Sequence, residues 1–205
     1  MTVGVVIPAH NEESGIGAVL AAAIGAPTTG QVVVVSDDSS DGTAQVAREA
    51  GVQVIEITAG DKGTAMATGL LHVEHPWVLF LDADLVGLTA AHVHALSIIA
   101  PLDGMVVGMR EGTVPTGLPP ISGERRLPTD FAKSIPLVGT GYRAELLIDA
   151  AVARAGLPHR HYAMAGVTNP TRNLRHPLMW ADLAVTAAIN APALARYVAQ
   201  DVKTS

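Results

Sequence analysis

Apolar residues come in short unbroken blocks separated by stretches with helical spacing. Val3 to Ile7 is a β-branched run ending at Pro8, and Ile16, Val19, Leu20, Ala23 and Ile24 then recur at the period of a helix. Gln31 to Val35 is a second apolar run, and a helix is expected over Ala44 to Ala50 after the polar loop SDDSSDGT, with Asp41 as its cap. The pattern continues with a strand at Val52 to Ile57, a helix at Lys62 to Val73, a strand at Trp77 to Leu81 and a Thr89-capped helix reaching Ala100. Strands apolar on both faces and alternating with helices predict an α/β fold: a mostly parallel central sheet flanked by helices, with chemistry in the loops at the strands' carboxyl ends.

Beyond Asp103 to Met109, a further strand, the order changes. Glu111 to Gly123 is rich in Gly and Pro and reads as a loop. Helical spacing marks Glu124 to Ser134, Arg143 to Ala155 and Pro177 to Gln200, with a strand expected at Pro158 to Met164. The expectation is a single domain over 1–205, with a smaller, more helical region in 111–205.

Composition narrows the classes. The chain has 205 residues and no cysteine, which excludes disulfides, thiolate metal sites and cysteine nucleophiles. Its 13 basic against 19 acidic residues leave a net charge of −6, the wrong sign for a general nucleic-acid or anionic-membrane binder. No stretch has the apolar length of a transmembrane segment, and the opening residues lack a secretory pattern, so a cytoplasmic protein is expected.

Acidic residues gather after three of the strands: Glu12 and Glu13 after the first, Asp37, Asp38 and Asp41 after the second, Asp82 and Asp84 after the fourth. Carboxylates converging on one sheet edge repel one another, and a divalent cation with a nucleotide resolves that repulsion. Neither a G-x-G-x-x-G turn nor a G-K-[ST] loop is present, so phosphates must be held in another way. In FLDADL, Asp82 and Asp84 end an apolar strand two residues apart and can address one ion, Mg²⁺ or Mn²⁺, completed by diphosphate oxygens. Lys62 opens a helix whose dipole opposes its charge, a placement that makes sense beside a bound anion.

Four blocks in order, VVIPAHNEE, VVVVSDDSSDGTA, DKGTAMATGL and FLDADL, resemble those of family-two glycosyltransferases with the GT-A fold. SGERRL, GYRAELLIDAA and MAGVTNP resemble the acceptor half more weakly. The resemblance implies a nucleotide-sugar half over 1–110 and an acceptor half over 111–205. It implies a nucleotide-diphosphate sugar as donor, Mg²⁺ or Mn²⁺ as cofactor, and a small-molecule or lipid-phosphate acceptor. Pro8, Ala9 and Glu12 would line the nucleotide, Asp37 would bind the base, Lys62 would lie near the donor phosphates, and Asp82 and Asp84 would serve the metal, Asp84 more directly. Arg125 would contact the acceptor. For a hydroxyl acceptor Glu145, or second Glu124, would be the base; a phosphate acceptor would need no base and would be bound by Arg125 with Arg126.

Each residue also has a plainer reading. Asp37, Asp38 and Asp41 could shape a turn, Asp82 and Asp84 could satisfy loop amides, and Lys62 and Glu145 could be solvated surface charges. His159 and His161 share a strand face but suggest surface or cleft roles rather than zinc. Two departures stand out: Ser36-Asp37-Asp38-Ser39 replaces the usual Asp-Asp-Gly-Ser, and Asn169 stands where relatives often carry a histidine completing the metal or diphosphate site. Asn169-Pro170 could equally begin a surface turn. These departures keep open a nucleotide-binding module without turnover; a nucleotidyltransferase fits poorly, because IPAHNEES is neither Gly-rich nor basic.

Overall fold

A computed structural model describes residues 1–111, 122–169 and 177–201. Its elements alternate through the first half: β1 (Val3–Ala9), α1 (Ile16–Gly25), β2 (Thr29–Asp37), α2 (Thr43–Glu49), β3 (Gln53–Ile57), α3 (Lys62–Leu71), β4 (Trp77–Phe80), α4 (Ala90–Ile98) and β5 (Met105–Arg110). There follow β6 (Arg125–Pro128), α5 (Thr129–Lys133), α6 (Ala144–Ala155), β7 (His159–Met164), α7 (Pro177–Ile189) and α8 (Ala191–Asp201). The described strands form one seven-stranded sheet in the order β3-β2-β1-β4-β6-β5-β7. β6 runs antiparallel to β4 and β5, and the other pairings are parallel. The carboxyl ends of β1, β2 and β4 therefore lie side by side.

Alternation along the strands divides the core between the two faces. Val5 and Ile7 of β1 pack with α1 and α4 residues such as Val19, Leu20, Val93 and Leu96. Val6 points the other way, to Met66 and Leu70 of α3 and to Leu146, Leu194 and Tyr197 beyond. Both faces are dry, which is why these strands read as continuous apolar runs. Thr89 caps α4 as expected: its hydroxyl accepts from the His92 amide, and the His92 ring reaches back to the Thr89 amide. At α2 the cap position is Gly42, while Asp41 accepts from the Thr43 amide at 3.0 Å.

Two expectations are refined. The segment Glu124 to Ser134, expected to be at least partly helical, is strand β6 followed by the short α5. Arg125 and Arg126 in this strand are both fully buried, one on each face of the sheet. Pairing with β4 and β5 overrides local propensity here. The single helix expected over Pro177 to Gln200 is two, parted at Asn190, whose carbonyl accepts the first amides of α8. Pro192 lacks an amide hydrogen and fits that first turn. The Glu111–Gly123 loop lies for the most part outside the described residues.

Gly63 in α3 is required by a close approach. A Cβ there would overlap the Leu137 carbonyl oxygen and the Thr140 hydroxyl, so only glycine lets the 137–140 loop rest on the helix. Gly63→Ala should cost about 1–3 kcal/mol as overpacking against backbone. Urea unfolding checks this, and an unchanged midpoint would show that the loop gives way freely.

Candidate active site

The loops after β1 and β2 brace each other. The Asn11 amide donates to Ser39 Oγ at 3.1 Å, its side-chain oxygen accepts from the Ser40 amide at 2.8 Å, and the Glu13 amide donates to Asp41 Oδ2 at 3.1 Å. Asn11 and Asp38 both have left-handed backbones, with φ of 55° and 51°. Asp41 is held below the usual carboxylate range by the Thr43 hydroxyl. Asn11, Glu13 and Asp41 thus shape the loops, in line with the plainer reading of Asp41.

Asp37 is buried and fully engaged. Oδ1 accepts from the Ala59 and Gly60 amides at 2.7 and 2.9 Å, and Oδ2 from the Asp61 amide at 2.7 Å. This carboxylate fixes the loop that delivers Asp61, the N-cap of α3, and Lys62, its first residue. Asp61 in turn accepts from the Thr64 amide at 2.6 Å and from the Gly141 amide at 2.6 Å. The start of α3 is thereby tied to the turn ahead of α6.

Lys62 lies between the two halves of the chain. Its Nζ donates to Asp82 Oδ1 at 2.8 Å and to Glu145 Oε1 at 2.7 Å, with only 18% of its side chain exposed. Burial works to lower the Lys62 pKa, but Asp82 and Glu145 outweigh it and hold the ammonium above its usual value. Asp82 Oδ2 meets Arg110 Nη1 at 3.3 Å, and Arg110 Nε lies 3.7 Å from Glu124. A Cβ at Gly123 would overlap the Asp82 carboxylate, so the Ser-Gly-x-Arg glycine is what lets Asp82 sit there. Glu124 takes the Ser122 hydroxyl, and burial, then the charge of Asp82, pushes its pKa up to about 7.

Asp84 differs from Asp82: the Asn169 amide donates to its Oδ1 at 2.7 Å. Val86 and Thr168 exchange backbone hydrogen bonds of 2.9 Å, a bridge joining the loops after β4 and β7. Glu12 is half-buried nearby; burial first, then Asp84, Asp41 and Asp82, raise its pKa to about 7. Gly15 admits the close packing, since a Cβ there would stand 3.3 Å from the Ala83 carbonyl oxygen and 3.5 Å from the Asp84 Cα. Pro8 is half-buried and Ala9 buried at the end of β1, on the same sheet edge.

The structure therefore gathers Glu12, Asp82, Asp84, Lys62 and Glu145, and adds Asn169. It corrects the reading of Glu145 as a surface charge, because Glu145 is fully buried. Arg125 also departs from its expected place at an acceptor: it is wholly buried, and its Nη2 grips Asp149 at 2.8 and 3.0 Å. Arg126 lies over the Trp77 ring at 4.8 Å and donates to the Pro101 and Gly104 carbonyls. Burial lowers its pKa to about 10. His159 is buried rather than on the surface, stacked on Tyr197 at 3.7 Å, and His161 Nε2 is 3.2 Å from the Tyr197 hydroxyl. Arg110 and Asp149 were missed. The signal for Asp149 is a second acid one turn after Glu145 on an apolar helix, unfavourable unless a cation lies close.

Residues 4–89 match the model of glycosyl transferase family 2. Over those residues, less than half of its length, the chain is similar to that family. The matched segment holds Pro8 to Glu12, Asp37, Lys62, Asp82 and Asp84. An uncharacterized glycosyltransferase of Mycobacterium tuberculosis (strain ATCC 25618 / H37Rv) is 40% identical over 82 residues, 40% of this chain and 36% of the relative. The 4,4'-diaponeurosporenoate glycosyltransferase of Staphylococcus aureus (strain NCTC 8325 / PS 47) is 34% identical over 98 residues, 45% of this chain and 26% of the relative. The matches thus span little more than a third of these curated relatives or less.

The whole fold has solved counterparts. Glucosyl-3-phosphoglycerate synthase from Mycobacterium tuberculosis with phosphoglyceric acid superposes with a TM-score of 0.77 at 21% identity, covering 94% of this chain and 80% of that one. The same enzyme with Mn²⁺, UDP and glucosyl-3-phosphoglycerate gives 0.76 at 22% identity, with the same coverage. The fold is GT-A-like.

Glu124 provides a test of the buried charge. The folded state keeps its proton up to about pH 7, whereas the unfolded chain releases it near the ordinary glutamate value of 4.5. Between those values the folded state binds more protons, so this group's contribution to stability is full below the lower value and lost as pH rises through the upper one. Glu124→Gln removes that loss and should gain on the order of 1–3 kcal/mol relative to wild type between pH 4.5 and 8. Parallel urea midpoints for the two proteins across that range would contradict it.

Proposed function

We propose that the protein transfers a glycosyl group from a nucleoside-diphosphate sugar to a small phosphorylated acceptor, with Mg²⁺ or Mn²⁺ as cofactor. The observation that carries this is the convergence of Glu12, Asp82 and Asp84 with Lys62 at the carboxyl edge of β1, β2 and β4, inside the family 2 segment. Glucosyl-3-phosphoglycerate synthase, of the same fold, has been captured with Mn²⁺, UDP-glucose and glycerol 3-phosphate, which supports this choice of donor, ion and acceptor class. Residues 1–110 form the nucleotide-sugar half and 111–205 the acceptor half. Among the described residues no helix is long and apolar enough to cross a membrane.

The donor set suits a hard cation. Asp84 supplies carboxylate oxygens, one of which takes the Asn169 side-chain amide, and burial first, then the charges of Asp84, Asp41 and Asp82, raises the Glu12 pKa. Among the described residues no three His, Asp or Glu side chains are grouped to enclose an ion, and one or two protein oxygens completed by the diphosphate would have to hold it. Asp84 would hold the metal, with the Asn169 side-chain amide donating to its Oδ1. Asp82, with both oxygens on cations, sets the position of Lys62 and Arg110. When bound, the ion neutralises charge on the departing diphosphate. Lys62 adds a second positive charge, Pro8, Ala9 and Glu12 line the nucleotide, and Asp37 acts on it through the 59–61 loop. The acceptor would enter beside the Gly139–Arg143 turn, which is tied to α3 through Asp61 and Thr64.

A second reading, nucleotide binding without turnover, is favoured by one observation: Glu145 and Glu124, the two carboxylates considered as base, are both fully buried. Transfer or hydrolysis of UDP-glucose measured beside UDP binding separates the two readings.

In calorimetric titrations, UDP should bind in the presence of Mn²⁺, and Asp84→Asn should weaken it at least about tenfold, equivalent to roughly 1.4 kcal/mol. Equal UDP affinity in both proteins, with or without Mn²⁺, would remove Asp84 from the metal site. Asn169→His replaces an amide that donates to Asp84 with an imidazole whose nitrogen can ligate, and should tighten Mn²⁺ itself, about tenfold. Unchanged Mn²⁺ affinity would leave Asn169 only as a hydrogen-bond donor to Asp84.

A further inference from the structure

Behind the candidate site a line of alternating charge crosses the protein interior. Lys62 joins Asp82 to Glu145 by contacts of 2.8 and 2.7 Å. Glu145 lies within electrostatic reach of Arg125 and Asp149, and Arg125 holds Asp149 through Nη2 at 2.8 Å and Nε at 3.3 Å. The Tyr197 hydroxyl hydrogen-bonds to Asp149 and is 3.2 Å from His161 Nε2. The sequence of groups is thus Asp82, Lys62, Glu145, Arg125, Asp149, Tyr197, drawn from the loop after β4 and from α3, α6, β6 and α8. Glu145, Arg125, Asp149 and Tyr197 have no exposed surface.

Such a line is poor value as a stabiliser, since buried ion pairs often do no better than apolar side chains of the same volume. Its far end touches nothing of the candidate site, whereas its near end is the cation proposed for the diphosphate. Glu145 is under-satisfied: among the described residues its Oε2 has no hydrogen-bond partner. Lys62 on Oε1 and the field of Arg125 are therefore what keep this carboxylate in place. Without Arg125, Glu145 and Asp149 would face each other one helical turn apart as like charges.

We propose that Arg125 and Tyr197 are positioning residues: acting through Asp149 and Glu145, they hold the Lys62 ammonium at the diphosphate side of Asp82 and make that placement depend on the seating of α8. The proposal deepens the glycosyl-transfer reading and rests on it for the role of Lys62, while the placement of Lys62 can be measured apart from any ligand.

Two measurements on the full chain test it. Reductive methylation followed by peptide mass spectrometry reads the accessibility of Lys62 against Lys133, an internal control on α5. Arg125→Met and Tyr197→Phe should each speed Lys62 labelling about fivefold with Lys133 within about twofold, and Arg125→Lys should restore most of the protection. Tyr197→Phe removes one hydroxyl and keeps the test usable if Arg125→Met does not fold. Unchanged Lys62 labelling, or Lys62 and Lys133 rising together as in general loosening, would overturn the proposal. Calorimetry with UDP and Mn²⁺ is the second measurement: Tyr197→Phe should weaken binding about threefold in wild type and not at all in a Lys62→Met background. Equal weakening in both backgrounds would overturn a route through Lys62. If wild type binds no UDP, the glycosyl-transfer reading falls, and the labelling result still decides whether the line positions Lys62.

Discussion

The Lys62 ammonium, shared between Asp82 and Glu145, is the contact on which the rest of the site depends. It joins the end of β4, the start of α3 and the first turn of α6, so one charge ties the parallel half of the sheet to the region after it. The backbone is built to deliver it there. Asp37 fixes the loop before α3 through three amides, Asp61 caps the helix and holds the Gly141 amide, and Gly63 lets the 137–140 loop close down on the same turn.

Around that contact, glycines set how closely the loops approach. Gly123 makes room for the Asp82 carboxylate, and Gly15 brings the β1–α1 loop against Ala83 and Asp84. The result is two aspartates two residues apart with different surroundings. Asp82 is held by Lys62 and Arg110, while Asp84 takes the side-chain amide of Asn169. Glu12 stands beside them, its pKa raised by burial first and then by the charges of Asp84, Asp41 and Asp82.

The interior charges follow a different logic from the core around them. Val, Leu and Ile fill both faces of the sheet, yet Arg125, Arg126, Glu145 and Asp149 are buried among them. Arg126 is accommodated by an aromatic face and two carbonyls, and Arg125 by a carboxylate. An isolated charge could not remain ionised in that medium, so each partner must be in place when the sheet closes.

The sequence by itself determined the alternation of strands and helices through β5, the parallel character of that half, and the edge on which Glu12, Asp37, Asp82 and Asp84 emerge. Those features are local: continuous apolar blocks, helical periods and cap residues carry them within a few positions. It also singled out Lys62 and Asn169, one by its charge at a helix start and the other as a departure from a familiar pattern. Only the tertiary structure decided that SGERRL is a strand, that Arg125 and Glu145 lie inside, and that Asn169 reaches Asp84. Each of these depends on a partner distant in the chain: β4 and β5 for the strand, Asp149 and Lys62 for the charges, and the Val86–Thr168 bridge for the loop. Arginine and glutamate read as solvated because burying either alone is prohibitive, and no local pattern reveals that the compensating charge will be supplied by another element.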